Sequence, residues 1–323
     1  MWIRLKTEAD PKAVAAELQG LGLWTRTLTT EDGNTSGFAV EPFSAVIDRA
    51  RLAAVEGVAE VQAARSPHPK VDAESGKPAR VADLEIGAGA EPVLMAGPCS
   101  IESEAQVEAS AAAVAAAGGR VLRGGAFKPR TSPYSFAGHG KEALGWLRRA
   151  ADRHGLAVVS EVMSEAMVDT VAEAVDLLQI GSRNMQNFAL LRAAGAAGKP
   201  VMLKRGMAAT VEEWLLAGEH LLAAGATDVI YCARGIAGFD RSTRNLLDIG
   251  AVALLTGVHG LPVVVDPSHA VGRRDLIPPM ARAAMAAGAS GLMIEIHPNP
   301  EQALSDGAQA LAPEDLADLG WKR

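Results

Sequence analysis

From Arg123 to Ser132 the chain reads Arg-Gly-Gly-Ala-Phe-Lys-Pro-Arg-Thr-Ser, which crowds Arg123, Lys128 and Arg130 into one Gly- and Pro-rich turn of a chain whose net charge is −7. Hydroxyls follow at Thr131, Ser132 and Ser135. A turn of this kind presents fixed positive charge and short donors to a small anion. Arg183, Lys204 and Arg234 occur in similar settings, in Gly181-Ser-Arg183-Asn184, Lys204-Arg205-Gly206 and Arg234-Gly235. A second group of residues suits a metal. Cys99, His269 and Glu295 offer a thiolate, an imidazole and a carboxylate, a mixed set for a divalent transition metal. Asp306, in Leu304-Ser-Asp-Gly307, can supply a fourth ligand and leave a position open. Cys99 as a nucleophile is the rival reading, although no histidine is paired with it by spacing. Taken singly, a cysteine or histidine in a barrel is more often packing than ligand. Cys232 falls within an apolar strand pattern and is read as core, and His68, His139, His154, His220 and His259 lie in loops or on helices and receive no metal role.

These residues act together only if one fold brings them together. From about residue 81 onward, short apolar runs alternate with Ala-rich amphipathic stretches. Strands are expected near 93–96, 121–122, 157–160, 177–180, 201–204, 229–232, 263–266 and 292–295. Helices are expected near 103–117, 141–154, 164–174, 186–196, 211–224, 243–256, 275–287 and 301–311. A short hairpin is expected from 84–86 with Gly87-Ala-Gly89, feeding the first strand. Strict alternation of this kind over residues 81–323 predicts an α/β fold of the (β/α)8 TIM-barrel class. A doubly wound sheet is the rival, but no Gly-rich dinucleotide fingerprint follows any strand. In such a barrel, reactive groups sit at strand C-termini. Cys99, Arg123, Glu161, Arg183, Lys204, Arg234, His269 and Glu295 all fall there. Cations converging on one mouth repel one another unless the ligand carries more than one negative group.

Residues 1–66 read as a separate small unit with the order βαββαβ, a ferredoxin-like or ACT-like module with a possible regulatory or oligomerisation role. Its helices are expected over 11–18 and 44–54. The polar, Pro-punctuated segment 67–80 reads as a linker.

Composition narrows the function. Acidic balance, with a sequence pI near 5.6, argues against nucleic acid and anionic membranes as partners. No apolar run approaches a membrane span, and the N-terminus lacks a signal-peptide core. Two cysteines make no disulfide framework, which points to the reducing cytoplasm.

The motifs carry a resemblance. Ala96-Gly-Pro-Cys-Ser-Ile-Glu-Ser103, Lys128-Pro-Arg-Thr-Ser132, Gln179-Ile-Gly-Ser-Arg-Asn-Met-Gln-Asn187, Leu203-Lys-Arg-Gly206, Val265-Asp-Pro-Ser-His-Ala270, Glu295-Ile-His-Pro-Asn-Pro300 and Leu304-Ser-Asp-Gly307 together resemble the 3-deoxy-7-phosphoheptulonate (DAHP) synthases. The closest likeness is to the shorter bacterial form with an N-terminal ferredoxin-like domain. That family condenses phosphoenolpyruvate with erythrose 4-phosphate and water and releases phosphate, the first step of the shikimate pathway to the aromatic amino acids. The resemblance implies that Cys99, His269, Glu295 and Asp306 hold a divalent metal of the Mn, Fe, Co or Zn class. It puts Arg123, Lys128, Glu161, Arg183, Lys204 and Arg234 around phosphoenolpyruvate, with Arg183 and Arg234 on its phosphate. Lys128, Arg130, Thr131 and Ser132 match the segment that holds erythrose 4-phosphate. Catalytic roles fall to Lys128, Glu161 and His269; Lys128, Glu161 and metal-bound water are the proton carriers left open. Ser182 and Ala233 depart from the Ala and Glu common in the family. The resemblance also implies a homotetramer and a possible aromatic amino acid inhibitor.

Two rivals remain at this level. The related 3-deoxy-octulosonate 8-phosphate synthases use arabinose 5-phosphate, and their second loop usually reads Lys-Ala-Asn-Arg-Ser, against Lys128-Pro-Arg-Thr-Ser132 here. A non-catalytic, amino-acid-sensing barrel would have lost the site residues that this chain retains.

Overall fold

A computed structural model of the chain describes all residues except 42, 64, 129–133, 135, 322 and 323. Its contacts divide it into two compact units, Met1–Pro67 and His68–Arg323.

The first unit is a four-stranded antiparallel sheet in the order β2-β3-β1-β4, made of β1 (Trp2–Leu5), β2 (Thr25–Thr29), β3 (Thr35–Val40) and β4 (Val58–Gln62). Alternation puts Ile3, Leu5 and Phe38 into one core with Val14 and Leu18 of α1 (Pro11–Gly20), and a register break opposite Arg4 and Leu5 lets β4 add both Val58 and Val61. The Asp10 side chain accepts from the Lys12 amide and Pro11 opens the helix, which explains its start. The second helix is shorter than its expected range and covers Arg49–Ala53 (α2). Ser44 is tied elsewhere, since its hydroxyl accepts from the Trp24 amide and donates to the Trp24 carbonyl. Asp48 then caps the helix by accepting from the Ala50 amide.

The second unit begins earlier than the expected linker allows. Residues 69–73 form α3 (Pro69–Ala73), whose free amides at Lys70 and Val71 donate to the Glu219 carboxylate at 2.9 Å. Val71 is buried in the main core. The hairpin is also displaced from its expected place. It pairs β5 (Pro78–Val81) with β6 (Leu84–Gly87), and Ala82 takes the turn at φ 51°. Its apolar face of Ala79, Val81, Leu84 and Ile86 joins the inward side chains at the lower end of the barrel, Cys232 among them.

Eight parallel strands then close in chain order: β7 (Val93–Gly97), β8 (Val121–Arg123), β9 (Ala157–Val162), β10 (Leu177–Ile180), β11 (Val201–Lys204), β12 (Val229–Ala233), β13 (Val263–Val265) and β14 (Gly291–Glu295). β14 pairs back onto β7, with Glu295 beside Gly97. The strands are buried on both faces, which explains their unbroken apolar runs. Helices α4 (Glu104–Ala116), α5 (Lys141–His154), α6 (Val168–Ala174), α7 (Phe188–Ala196), α8 (Val211–Ala224), α9 (Ile249–Ala253), α10 (Pro267–Val271) and α11 (Ile277–Ala286) follow. Caps fix several starts: Ser103 for α4, Asn187 for α7, and Thr210 with Glu213 as a reciprocal pair for α8.

Two helices differ from expectation. The one expected over 243–256 starts only at Ile249, because Ile236 and Leu246 exchange backbone hydrogen bonds and Asp248 then caps α9 by accepting from the Ala251 amide. The one expected over 301–311 does not form. A single 3-10 turn, Pro300–Gln302, leads into a loop in which Asp306 has φ 56°, a left-handed conformation that stops a right-handed helix. A later 3-10 segment, Pro313–Leu319, buries Leu316 and Leu319 in the main core in its place.

Candidate active site

Two ends of the barrel differ in chemistry. The lower interior is filled by apolar side chains and the hairpin. At the C-terminal ends of the strands lies a cavity of about 390 Å³ lined by Arg123, Lys128, Glu161, Arg183, Lys204 and Arg234, together with Cys99, His269 and Asp306. Thus the cations expected at strand ends share one mouth. Arg130, Thr131 and Ser132 lie outside the described residues. Arg244 and Asn245 also line the cavity, although sequence reading did not single them out.

Local backbone explains how the site fits. Gly97 ends β7 at φ 147°, and a Cβ there would run into the Arg123 carbonyl of the next strand. Gly181 follows β10 with the Glu161 carboxylate where its Cβ would be, so glycine leaves room for that acid. Asp266 follows β13 and caps α10 by accepting from the His269 amide at 2.9 Å. The cap therefore sets the His269 side chain at the mouth.

Cys99, His269, Glu295 and Asp306 each contribute one ligand atom to a group in which all four lie within 4.8 Å of one another. Cys99 Sγ is 3.2 Å from Asp306 Oδ2 and 3.6 Å from His269 Nε2. His269 Nε2 is 3.5 Å from Glu295 Oε2, while its Nδ1 is 2.8 Å from Asp266 Oδ2. Donor softness, number and spacing fit a divalent transition metal. Among the described residues no other such group occurs. His68, His139, His154, His220 and His259 stay outside it, and Cys232 is a buried core residue with its thiol pushed up to about 12 by burial.

Charge in the site follows from burial. Burial pushes the Cys99 thiol up, and the neighbouring Glu295 adds to this against Lys128 and Arg123. Burial holds His269 neutral, down to about 3, in spite of Asp266. Glu295 is raised to about 7 by burial, with Arg123 opposing. Asp306 also feels burial, but His269, the Cys99 thiol and Arg244 outweigh it and bring it to about 2. Asp266 stays well below the carboxylate range because His269 and Lys204 outweigh its burial. Burial lowers Arg234, whereas the surrounding anions outweigh burial at Lys204 and Arg123.

Lys128 stands between the two halves of the site. Its Nζ donates to the Cys99 carbonyl at 2.7 Å and reaches Cys99 Sγ at 2.9 Å. Loops outside the cavity hold the ligands. Glu102 pairs with His297 at 3.3 Å and accepts from the Leu304 amide at 2.8 Å, tying the loop after β7 to the loop that carries Asp306. Glu102 and His297 fall inside two of the motifs quoted from the sequence, but sequence reading gave them no partner. It missed Asp266 as a side-chain partner, and Arg244, Asn245 and Gln309 altogether. Only the acidic residue directly after β13 offered a signal, as a helix cap.

A (β/α)8 barrel with a cation-lined mouth and a four-ligand cluster at its catalytic end defines an enzyme that acts on small, multiply anionic substrates. Residues 66–322 match the DAHP synthetase I family, and the chain belongs to that family. It is 50% identical over 237 residues to phospho-2-dehydro-3-deoxyheptonate aldolase of Thermotoga maritima, covering 73% of this chain and 70% of that protein. A 2-dehydro-3-deoxyphosphooctonate aldolase of Acidithiobacillus ferrooxidans is 36% identical over 259 residues, 74% of this chain and 91% of that one. The crystal structure of the Thermotoga maritima DAHP synthase superposes with a TM-score of 0.76 at 39% identity, covering 98% of this chain and 94% of that one. A truncated form of the same synthase gives a TM-score of 0.71 at 44% identity, over 79% and 91%.

Proposed function

We propose that the chain condenses phosphoenolpyruvate with erythrose 4-phosphate and water to give 3-deoxy-7-phosphoheptulonate and inorganic phosphate. One observation carries this reading: six cations and a Cys/His/Asp cluster line one cavity, with Glu295 behind. Two phosphates and a carboxylate answer that surplus of positive charge. Identity is also higher to the Thermotoga heptonate enzyme than to the Acidithiobacillus octonate enzyme.

In this reading Cys99, His269, Glu295 and Asp306 hold a divalent metal. When bound, it supplies a Lewis acid for the aldehyde oxygen of the aldose. Arg183 and Arg234 hold the phosphoenolpyruvate phosphate, and Arg123 and Lys204, both buried, face its carboxylate. Carbon 3 of phosphoenolpyruvate bonds to the aldehyde carbon, and the aldehyde oxygen takes a proton. In this reading Lys128 Nζ, 2.9 Å from Cys99 Sγ, gives that proton. Water then adds at carbon 2 and gives up a proton, for which the Glu161 carboxylate is the acceptor lining the cavity. The carbon–oxygen bond to phosphate then breaks and the new hydroxyl on carbon 2 passes its proton to the departing phosphate, leaving a ketone and inorganic phosphate. His269, kept neutral by burial, serves as a ligand rather than as the acid. A reducing cytoplasmic setting belongs to the same reading, because a ligating thiol must stay reduced. So do a homotetramer and an aromatic amino acid inhibitor acting through residues 1–67.

The test is phosphate release from phosphoenolpyruvate with erythrose 4-phosphate or with arabinose 5-phosphate. Turnover with the four-carbon aldose is expected, and turnover with arabinose 5-phosphate alone would overturn the reading.

A further inference from the structure

Two of the cluster's ligands are carboxylates on different backbone segments, one ending β14 and one in the loop beyond it. An exposed arginine from a third segment joins them. Arg244 Nη1 donates to Asp306 Oδ1 at 3.0 Å and to Gln309 Oε1 at 2.8 Å. Gln309 Nε2 in turn donates to Glu295 Oε2 at 2.7 Å. Arginine carries only donors and an ionised carboxylate only acceptors, so a glutamine between them has one amide orientation that satisfies both. Gln309 is buried, and its segment is fixed by the Leu311 amide donating to the Glu295 carbonyl at 2.9 Å.

The arrangement also selects oxygens. Arg244 occupies Asp306 Oδ1, which leaves Oδ2 turned toward Cys99 Sγ. The neighbouring residue anchors a third ligand. Asn245 Nδ2 donates to the His269 carbonyl at 3.0 Å, and the Arg244 and Asn245 amides donate to the Val271 and Ala270 carbonyls. The loop between β12 and α9 therefore touches the supports of three of the four ligands, although it contributes no ligand itself.

We propose that Arg244 and Gln309 are positioning residues of the metal centre, acting as one hydrogen-bonded chain that sets the Asp306 and Glu295 carboxylates for a divalent cation. This rests on reading the cluster as a metal site. Partners of this kind set ligand orientation and affinity even where they never touch the ion.

The experiment is titration of metal-stripped, full-length protein with Mn2+ alone and with Zn2+ alone, read by competition with a fluorescent chelator. Arg244→Met and Gln309→Leu should each weaken binding by about 10–100-fold. The double variant should lose less than the product of the two, because the residues act through one chain. Arg244→Lys should recover most of the affinity, since a single ammonium can donate to both oxygens. Because Arg244 is exposed, the metal-free thermal midpoint of Arg244→Met should match that of the unmodified protein, which separates positioning from folding. If Gln309→Leu does not fold, Arg244→Met and Arg244→Lys decide the matter. Variants that bind both metals as tightly as the unmodified chain overturn the inference and leave the metal reading standing. An unmodified chain that binds neither metal overturns the metal reading, and the inference goes with it.

Discussion

Lys204 ends β11 and Asp266 directly follows β13, two strands separated by β12, yet Lys204 Nζ meets Asp266 Oδ2 at 2.7 Å with both side chains buried. Asp266 also faces His269 Nδ1 at 2.8 Å, so one carboxylate neutralises a cavity-lining cation and steadies a cluster histidine. Removing the lysine leaves a buried carboxylate without its cation. Lys204→Met should therefore lower stability by about 3–5 kcal/mol, measured by urea unfolding, besides abolishing turnover. An unchanged urea midpoint would show that water replaces the ammonium and that the pair is not structural.

Metal dependence follows from the donor set. Exhaustive chelation should abolish phosphate release, and Mn2+ or Zn2+ should restore it. Cys99→Ala should bind metal weakly and turn over poorly even at saturating substrate, because one of four ligands is gone. Normal turnover of Cys99→Ala after chelation would sink both the metal reading and the alternative of a cysteine nucleophile.

Much of this site was legible in the sequence, for a physical reason. A parallel barrel gathers every strand C-terminus at one mouth, so residues such as Cys99, Arg183 and Glu295 become neighbours whatever their separation in the chain. What the periodicity could not give is side-chain pairing across loops. Arg244 sits in an irregular stretch after β12, and Gln309 sits in a segment whose Ala and Leu content reads as helix. Only the left-handed Asp306 and the Pro300 turn stop that helix and swing the loop into the site. Similarly, the segment holding α3 read as linker because Ser-Pro-His-Pro is a loop signature. Its anchor, Glu219, lies far along the chain on α8.

Gly181 offers a test of the Glu161 carboxylate. A Cβ at 181 would occupy the position of Glu161 Oε1, and flexing that side chain aside moves the acid from the cavity. Gly181→Ala should lower kcat by about 10–100-fold while the fold and metal affinity hold. Wild-type kcat in this variant would remove Glu161 from the chemistry.

In the metal-free protein, two cluster residues pull the pH dependence of stability in opposite directions. His269 is held down to about 3 from an ordinary 6.5, so the unfolded chain binds its proton first, and stability is lost as pH falls below 6.5. Glu295 is raised to about 7 from an ordinary 4.5, so the folded chain keeps its proton longer, and stability is lost as pH rises from 4.5 toward 7. Between 4.5 and 6.5 the two oppose, and urea midpoints of the metal-free protein should change little. Glu295→Gln removes one side of that balance. Its stability should then climb with pH across the same window, and a curve parallel to the unmodified protein would contradict this assignment.

Deleting the N-terminal unit tests what it does. Its core of Ile3, Val14, Leu18, Phe38 and Val61 forms a cluster of its own, and the two barrel clusters contain no residue before Val71. The cut belongs after Pro67, where the two units divide. A cut further on, after residue 75, would strip Val71 from the barrel core and leave Glu219 without the Lys70 and Val71 amides. Residues 68–323 should fold and release phosphate at a rate comparable to the full chain, because every described residue of the cavity and cluster lies within them. Inhibition by phenylalanine, tyrosine or tryptophan, measured on both forms, should appear only in the full chain. Equal inhibition of the truncated form would move the inhibitor site onto the barrel, and a folded but inactive truncated form would make the N-terminal unit part of the catalytic assembly.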